Sequence, residues 1–258
     1  MSQANPPLTD NVSKEIKEKH MTLIHGLGVD GRMWGDILPH LSPHFQLFNP
    51  DLPGHGAEPR LPDARAGVGA LADWLSGRLL SQGVKKTILV GYSMGATVAL
   101  RVALSRPDLA GGLALVAGDA RWGRGLRKLA LPIPRLAAFK VVWTARRELR
   151  KKLADPAKRA LADSMFDRAD LGALAGYVRD LLSSDLRGRL GEVGCPVLLV
   201  GGDKDRLAVP AAFEELKTGF PGAKAVLIKG EDHHLIIERE RELAALLTDF
   251  FKDANADK

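Results

Sequence analysis

The stretch that most constrains this chain is Thr87-Ile88-Leu89-Val90-Gly91-Tyr92-Ser93-Met94-Gly95-Ala96-Thr97-Val98-Ala99-Leu100. It reads as a short buried strand, a Gly-x-Ser-x-Gly corner and a helix of small and aliphatic residues. That order is what a nucleophile elbow requires, because the serine must turn sharply out of a strand to present its hydroxyl at the sheet's carboxyl end. Gly91 and Gly95 remove side chains that would collide where strand and helix cross. The amide of Met94, at the helix start, would then point at a developing oxyanion with the helix dipole behind it. A strand leading directly into a helix also predicts a parallel, doubly covered sheet.

The remaining chain repeats that alternation. Met21-Thr22-Leu23-Ile24 predicts a strand running into His25-Gly26-Leu27-Gly28, and Trp34, Ile37, Leu38 and Leu41 recur at the spacing of a first helix. A strand near Phe45 to Phe48 ends in Asp51-Leu52-Pro53-Gly54-His55-Gly56. A helix around Val68 to Leu80 precedes the elbow, whose helix runs to about Arg106. Gly112 to Ala117 predicts another buried strand. Strands over Pro196 to Val200 and Ala223 to Ile228 flank a helix from about Pro210, and a final helix spans about Arg239 to Phe251. The expected fold is α/β, a mostly parallel sheet of about six strands with helices on both faces and a helical cap insertion. Its parts are a tail over residues 1–20, a core over 21–119 and 191–258, and a cap over 120–190.

With 258 residues the chain suits one large domain, able to bury about three-quarters of its extended surface. The net charge of +6 suggests an anionic partner, but its distribution argues against a general nucleic-acid binder. Residues 121–189 hold 17 Lys and Arg against 7 Asp and Glu, so the excess is local to the cap. Arg146-Arg147, Arg150-Lys151-Lys152 and Lys158-Arg159 place cations on successive helical turns. They make either a solvated face or a docking surface for an acidic acyl carrier, coenzyme A or a lipid surface. The single cysteine, Cys195, excludes an internal disulfide and reads as a buried, inert thiol. Metal-ligand spacing, a dinucleotide fingerprint and an 18-residue apolar run are all absent, so no cofactor, metal or membrane span is expected. No apolar signal segment opens the sequence, and a cytoplasmic location is the expectation.

A serine hydroxyl needs a base within hydrogen-bond reach, and the base needs an acidic partner to fix its tautomer. In this architecture the order is Ser, then Asp or Glu, then His. Asp205 lies just past a strand in Val200-Gly201-Gly202-Asp203-Lys204-Asp205, with Asp203 and the more distant Asp119 as competitors. His233 lies past the last strand in Lys229-Gly230-Glu231-Asp232-His233-His234, with His234 beside it.

At this point the sequence resembles the α/β-hydrolase family from Met21 to about Phe251. His25 to Gly28 is similar to its oxyanion loop, Asp51 to Gly56 to its second signature, and Gly91 to Gly95 to its elbow. Gly202-x-x-Asp205 followed by Val209-Pro210 resembles the acid loop, and His233 with Glu238 five residues on resembles the histidine loop. The resemblance implies Ser93, Asp205 and His233 as the catalytic triad and the amides of Leu27 and Met94 as the oxyanion hole. It gives His25 and His55 structural parts in their loops. Trp34, Tyr92 and Trp122 are candidates for substrate contact, with Met94, Trp143 and Phe166 as further apolar candidates. Serine at the elbow separates the chain from dehalogenases and epoxide hydrolases of this fold, which place Asp there. Two subfamilies match in part. Menaquinone-pathway synthases follow the elbow with Gly-Arg where Ala96-Thr97 stand, and biotin-pathway carrier-protein methyl esterases have Trp in place of Tyr92.

The implied activity is a serine hydrolase cleaving a small-molecule carboxylic ester through an acyl-enzyme. The same triad could serve a methyl esterase or thioesterase on a carrier- or CoA-bound acyl chain, or a C–C hydrolase or lyase. A receptor that keeps the fold without turnover is the alternative outside enzymes. The family's opening antiparallel hairpin has no source in the polar first twenty residues, which predicts a sheet truncated at that edge.

Overall fold

The computed structural model describes residues 19–63, 66–122 and 134–253. Most of the expected tail therefore lies outside the described residues. Lys19 opens the described chain, and its ammonium donates to the carbonyls of Phe251 (3.2 Å) and Lys252 (2.9 Å), as a cation suits a helix C-terminus.

Among the described residues one sheet is formed by β1 (His20–Ile24), β2 (Gln46–Phe48), β3 (Thr87–Tyr92), β4 (Ala110–Val116), β5 (Val197–Gly202) and β6 (Lys224–Ile228). The order is β2-β1-β3-β4-β5-β6, and every neighbouring pair is parallel. The six-stranded parallel sheet agrees with the sequence, and the three-residue β2 is its edge. The chain turns one way from β1 to β2 and the other way to β3. That switch point opens a crevice at the carboxyl ends of β1 and β3, where open α/β sheets bind ligands.

Both faces of the central strands β1, β3, β4 and β5 are buried, which is why these strands read as near-continuous apolar runs. Side-chain alternation divides β3 between two cores. Ile88, Val90 and Tyr92 join Met21, Leu23, Trp34, Leu198 and Val200. Leu89 joins Ile24, Leu113, Leu115 and Leu199 on the other face.

The expected first helix is broken. Gly31–Trp34 forms a 3₁₀ turn, and α1 covers only Leu38–Leu41. Pro39 explains the break, since it lacks an N–H and is tolerated only in a helix's first turn. The helices α2 (Val68–Ser81) and α3 (Met94–Ser105) pack together beside the sheet. Between β4 and β5 the described chain is helical, in α4 (Pro134–Lys152), α5 (Pro156–Asp167) and α6 (Leu171–Ser183). Asp155 caps α5 by accepting from Ala157 N–H, and Asp170 caps α6 through Gly172 and Ala173 N–H. α7 (Pro210–Gly219), a short α8 (Leu235–Glu238) and α9 (Glu240–Asp253) complete the chain. No helix among the described residues is long and apolar enough to cross a membrane.

Candidate active site

The corner after β3 is forced by close packing. A Cβ on Gly91 would meet the backbone of Gly95 and Ala96, and one on Gly95 would meet the carbonyls of Ile24 and His25. Glycine at both positions lets α3 leave directly across β1 and β3. The turn itself falls on Ser93, whose φ of 54° and ψ of −120° lie outside the regions a non-glycine residue prefers. Its amide is held by the Val116 carbonyl at 2.9 Å, and Ser93 serves as the N-cap of α3. Met94 is then the first residue of that helix, where backbone N–H groups lack partners within the helix.

Three side chains from three loops meet there. Ser93 Oγ lies 2.8 Å from His233 Nε2, and His233 Nδ1 lies 2.8 Å from Asp205 Oδ2. A carboxylate only accepts, so Nδ1 carries the proton and Nε2 accepts from the serine hydroxyl. Asp205 Oδ1 accepts from the amides of Leu207 and Ala208, at 2.7 and 2.9 Å. Its side chain is fully buried and that of His233 is 9% exposed. The competitors are engaged elsewhere. Asp203 accepts from Gly230 N–H at 2.6 Å, closing the β5 and β6 loops together. Asp119 accepts from Arg121 N–H. His234 turns its Nδ1 toward Asp232, 3.4 Å away.

The supporting contacts are mostly ones that sequence reasoning missed. The Tyr92 hydroxyl donates to the His233 carbonyl at 3.0 Å, with the two rings 5.4 Å apart. Burial drives that phenol's pKa well above its ordinary value. His25 donates from Nδ1 to the Gly26 carbonyl and accepts at Nε2 from Leu52 N–H, each at 2.8 Å, joining the loops after β1 and β2. His55 Nδ1 donates to the Pro53 carbonyl, and its ring stacks on Tyr177. Burial holds the His25 imidazole down to about 4, and burial together with the charge of His25 holds His55 down to about 3. Asp51 accepts from the amides of Gly31 and Ala57, which gives the second signature its acid. Lys152, at the end of α4, pairs with Asp232 (3.0 Å) and Glu238 (2.6 Å) on either side of the histidine loop. Periodicity carries no trace of the contacts from Tyr92, His25 Nε2 and Lys152, because their partners lie far away in sequence.

A cavity of about 140 Å³ opens onto His233. Leu27 and Tyr92 line it from the core, and Ala145, Leu149, Met165 and Phe166 line it from α4 and α5. It is comparable in size to an engineered cavity that holds a benzene ring. Of the substrate-contact candidates, Tyr92 and Phe166 lie on it. Trp34 does not: it is fully buried in the core it shares with Val90 and Tyr92. Trp122 is also packed away from the lining, donating from its indole to Thr97 Oγ1 while its ring edge faces His233. The Met94 side chain is buried in the core, and Trp143 is 51% exposed on the outside of α4. Trp34, Trp122 and Met94 share a cause, since large apolar residues near a motif are usually core, whereas Trp143 faces solvent. Cys195 is half-buried rather than buried, with its thiol pushed up by desolvation. Among the described residues no cluster of His, Cys, Asp or Glu could hold a metal ion.

Comparisons with known proteins bear on the family and the fold. The family model described as the alpha/beta hydrolase family matches residues 23–246. A pimeloyl-(acyl-carrier protein) methyl ester esterase of Yersinia pseudotuberculosis is 27% identical over 252 residues, covering 90% of this chain and 93% of its own. Its counterpart from Stenotrophomonas maltophilia is 30% identical over 263 residues, covering 89% and 92%. The crystal structure of an enol-lactonase from Burkholderia xenovorans superposes with a TM-score of 0.75 at 25% identity, covering 90% of each chain. This chain belongs to the alpha/beta hydrolase family.

Proposed function

We propose that the protein is a serine hydrolase that cleaves a carboxylic ester through an acyl-enzyme. The observation that carries this reading is the continuous hydrogen-bonded series from Ser93 through His233 to Asp205, set beside an apolar cavity. Ser93 Oγ attacks the ester carbonyl as His233 Nε2 takes its proton. Asp205, fixed by two backbone amides, holds His233 in the tautomer that leaves Nε2 free to do so. The amides of Leu27 and Met94 receive the oxyanion, each such donor typically contributing about 3–4 kcal/mol to the transition state. His233 returns the proton to the departing alcohol, and water repeats the sequence on the acyl-enzyme. The helices α4 to α6 act as a cap whose inner side chains receive the acyl chain.

The relatives' names favour a narrower second reading, a methyl ester on a carrier-bound acyl chain. Comparing methyl esters and thioesters of one acyl chain, free and carrier-bound, separates that reading from a general esterase and a thioesterase.

The test of the main reading is hydrolysis of p-nitrophenyl esters across acyl lengths by wild type and Ser93→Ala. Turnover should fall by at least about 10⁴-fold in the variant, and a fluorophosphonate should label only the wild type. Absence of both turnover and labelling in wild type would leave the receptor reading standing.

A further inference from the structure

The outer face of α4 has no part in the cavity, and it is unusual for an exposed helix. Leu136, Phe139 and Trp143 are 50%, 53% and 51% exposed. At 100° per residue these three, with Arg147 and Arg150, fall within about 80° of one another and extend along about 21 Å of helix. Leu171, at the start of the neighbouring α6, adds a further half-exposed apolar side chain. The helix carries seven cations and one carboxylate, Glu148. Arg146 is tied to Asp163 and Asp167 on α5, and Lys152 to Asp232 and Glu238. Arg147 and Arg150 are each 56% exposed, in loose surface pairs with Glu148 (3.8 Å) and Asp163 (3.6 Å), and the Arg147 guanidinium lies 5.5 Å over the Trp143 ring.

We propose that this face of α4 docks the protein onto an anionic lipid surface, with Leu136, Phe139 and Trp143 entering the interface and the flanking cations meeting the headgroups. Apolar side chains in a narrow stripe beside arginines and lysines are what an interfacial helix presents. Tryptophan is at home at headgroup depth, and a guanidinium over its ring can stay hydrated there. Charge decides the sign of the lipid, since the face offers cations and the membrane must supply the anions. The apolar stripe decides between a bilayer and an acidic protein. Charge pairing alone gives no reason to keep three large apolar groups half in water, whereas a bilayer buries any such stripe without a matching groove. The opposite side of α4 supplies Ala145 and Leu149 to the cavity, so docking would bring the acyl cavity to the bilayer. That last consequence rests on the hydrolase reading; the docking itself does not.

The test is co-sedimentation with phosphatidylcholine vesicles containing about 30% phosphatidylglycerol and with pure phosphatidylcholine vesicles, in about 50 mM and about 500 mM salt. Wild type should bind the anionic vesicles, bind the neutral ones far less and weaken at high salt. The double variant Phe139→Ser/Trp143→Ser should bind at least about tenfold less, and Arg147→Glu should also bind less. Circular dichroism melting of each variant, matched to wild type, shows that the fold is intact. No binding to anionic vesicles at low salt would overturn the proposal, as would binding that the Phe139→Ser/Trp143→Ser change leaves intact. Retention of an acidic acyl carrier protein through Arg147 without vesicle binding would also overturn it, in favour of a protein partner. Because no step needs turnover, a failed docking test leaves the esterase reading untouched, and Ser93→Ala should dock as wild type does.

Discussion

At the scale of single residues, the site depends on backbone anchoring as much as on its reacting groups. Ser93 sits in a strained corner, and His233 lies on a loop whose carbonyl is held by Tyr92 from across the sheet. Tyr92→Phe keeps the ring on the cavity wall and deletes only that hydrogen bond. It should cost about 1–3 kcal/mol of stability, since the His233 carbonyl loses a buried donor. If the bond also sets the imidazole's position, kcat on a p-nitrophenyl ester should fall by roughly three- to tenfold with KM unchanged. Fluorophosphonate labelling should slow in proportion. A lower melting temperature with unaltered kcat would make the contact purely structural. The sequence shows Tyr92 as a motif residue but not this role, because the partner carbonyl is 141 positions away. That Ser93, Asp205 and His233 meet is legible for the opposite reason: each sits in a short local pattern just past a strand.

At the scale of elements, the strands of the sheet were legible because parallel strands buried on both faces have an unmistakable composition. The first helix departs from the spacing of Trp34, Ile37 and Leu41, because Pro39 can stand only in a helix's first turn. The helices between β4 and β5 were visible as a class, but the face each would turn to the cavity was not. Helical periodicity identifies a buried stripe without saying whether it meets the core or a ligand. Phe166 illustrates this, since it is buried among core residues and also lines the cavity. In the esterase reading its ring is part of the wall of the acyl site, and Phe166→Ala should widen that site and move the preferred acyl group to a longer chain. The kcat/KM for long p-nitrophenyl esters should rise relative to short ones by about tenfold, which a few added methylene contacts can supply. Removing a buried aromatic should cost about 3 kcal/mol or more, so the variant should melt several degrees lower. An unchanged acyl-length profile in a folded variant would place the acyl chain elsewhere.

At the scale of the whole molecule, the loops after β1 and β2 are locked together by two buried histidines, and this ties stability to pH. His25 and His55 lie with ring centroids 4.8 Å apart, and burial holds both well below an exposed imidazole. The unfolded chain therefore binds more protons than the folded one between about pH 6.5 and the folded values near 4 and 3. Stability must rise with pH across that window and fall as pH drops through it, by on the order of 1 kcal/mol per histidine per pH unit. Above about pH 6.5 both states hold the histidines neutral, and this contribution is flat. His55→Phe isolates the effect. The new ring can keep the stacking on Tyr177, and the Pro53 carbonyl that His55 engages still accepts from the Tyr177 hydroxyl at 2.9 Å. Among the described residues His55 Nε2 has no hydrogen-bond partner to lose. Urea midpoints taken from about pH 5 to about pH 8 should slope steeply for wild type below about 6.5, and about half as steeply for His55→Phe. Equal slopes would mean that other groups, not this pair, govern the acid sensitivity of the fold.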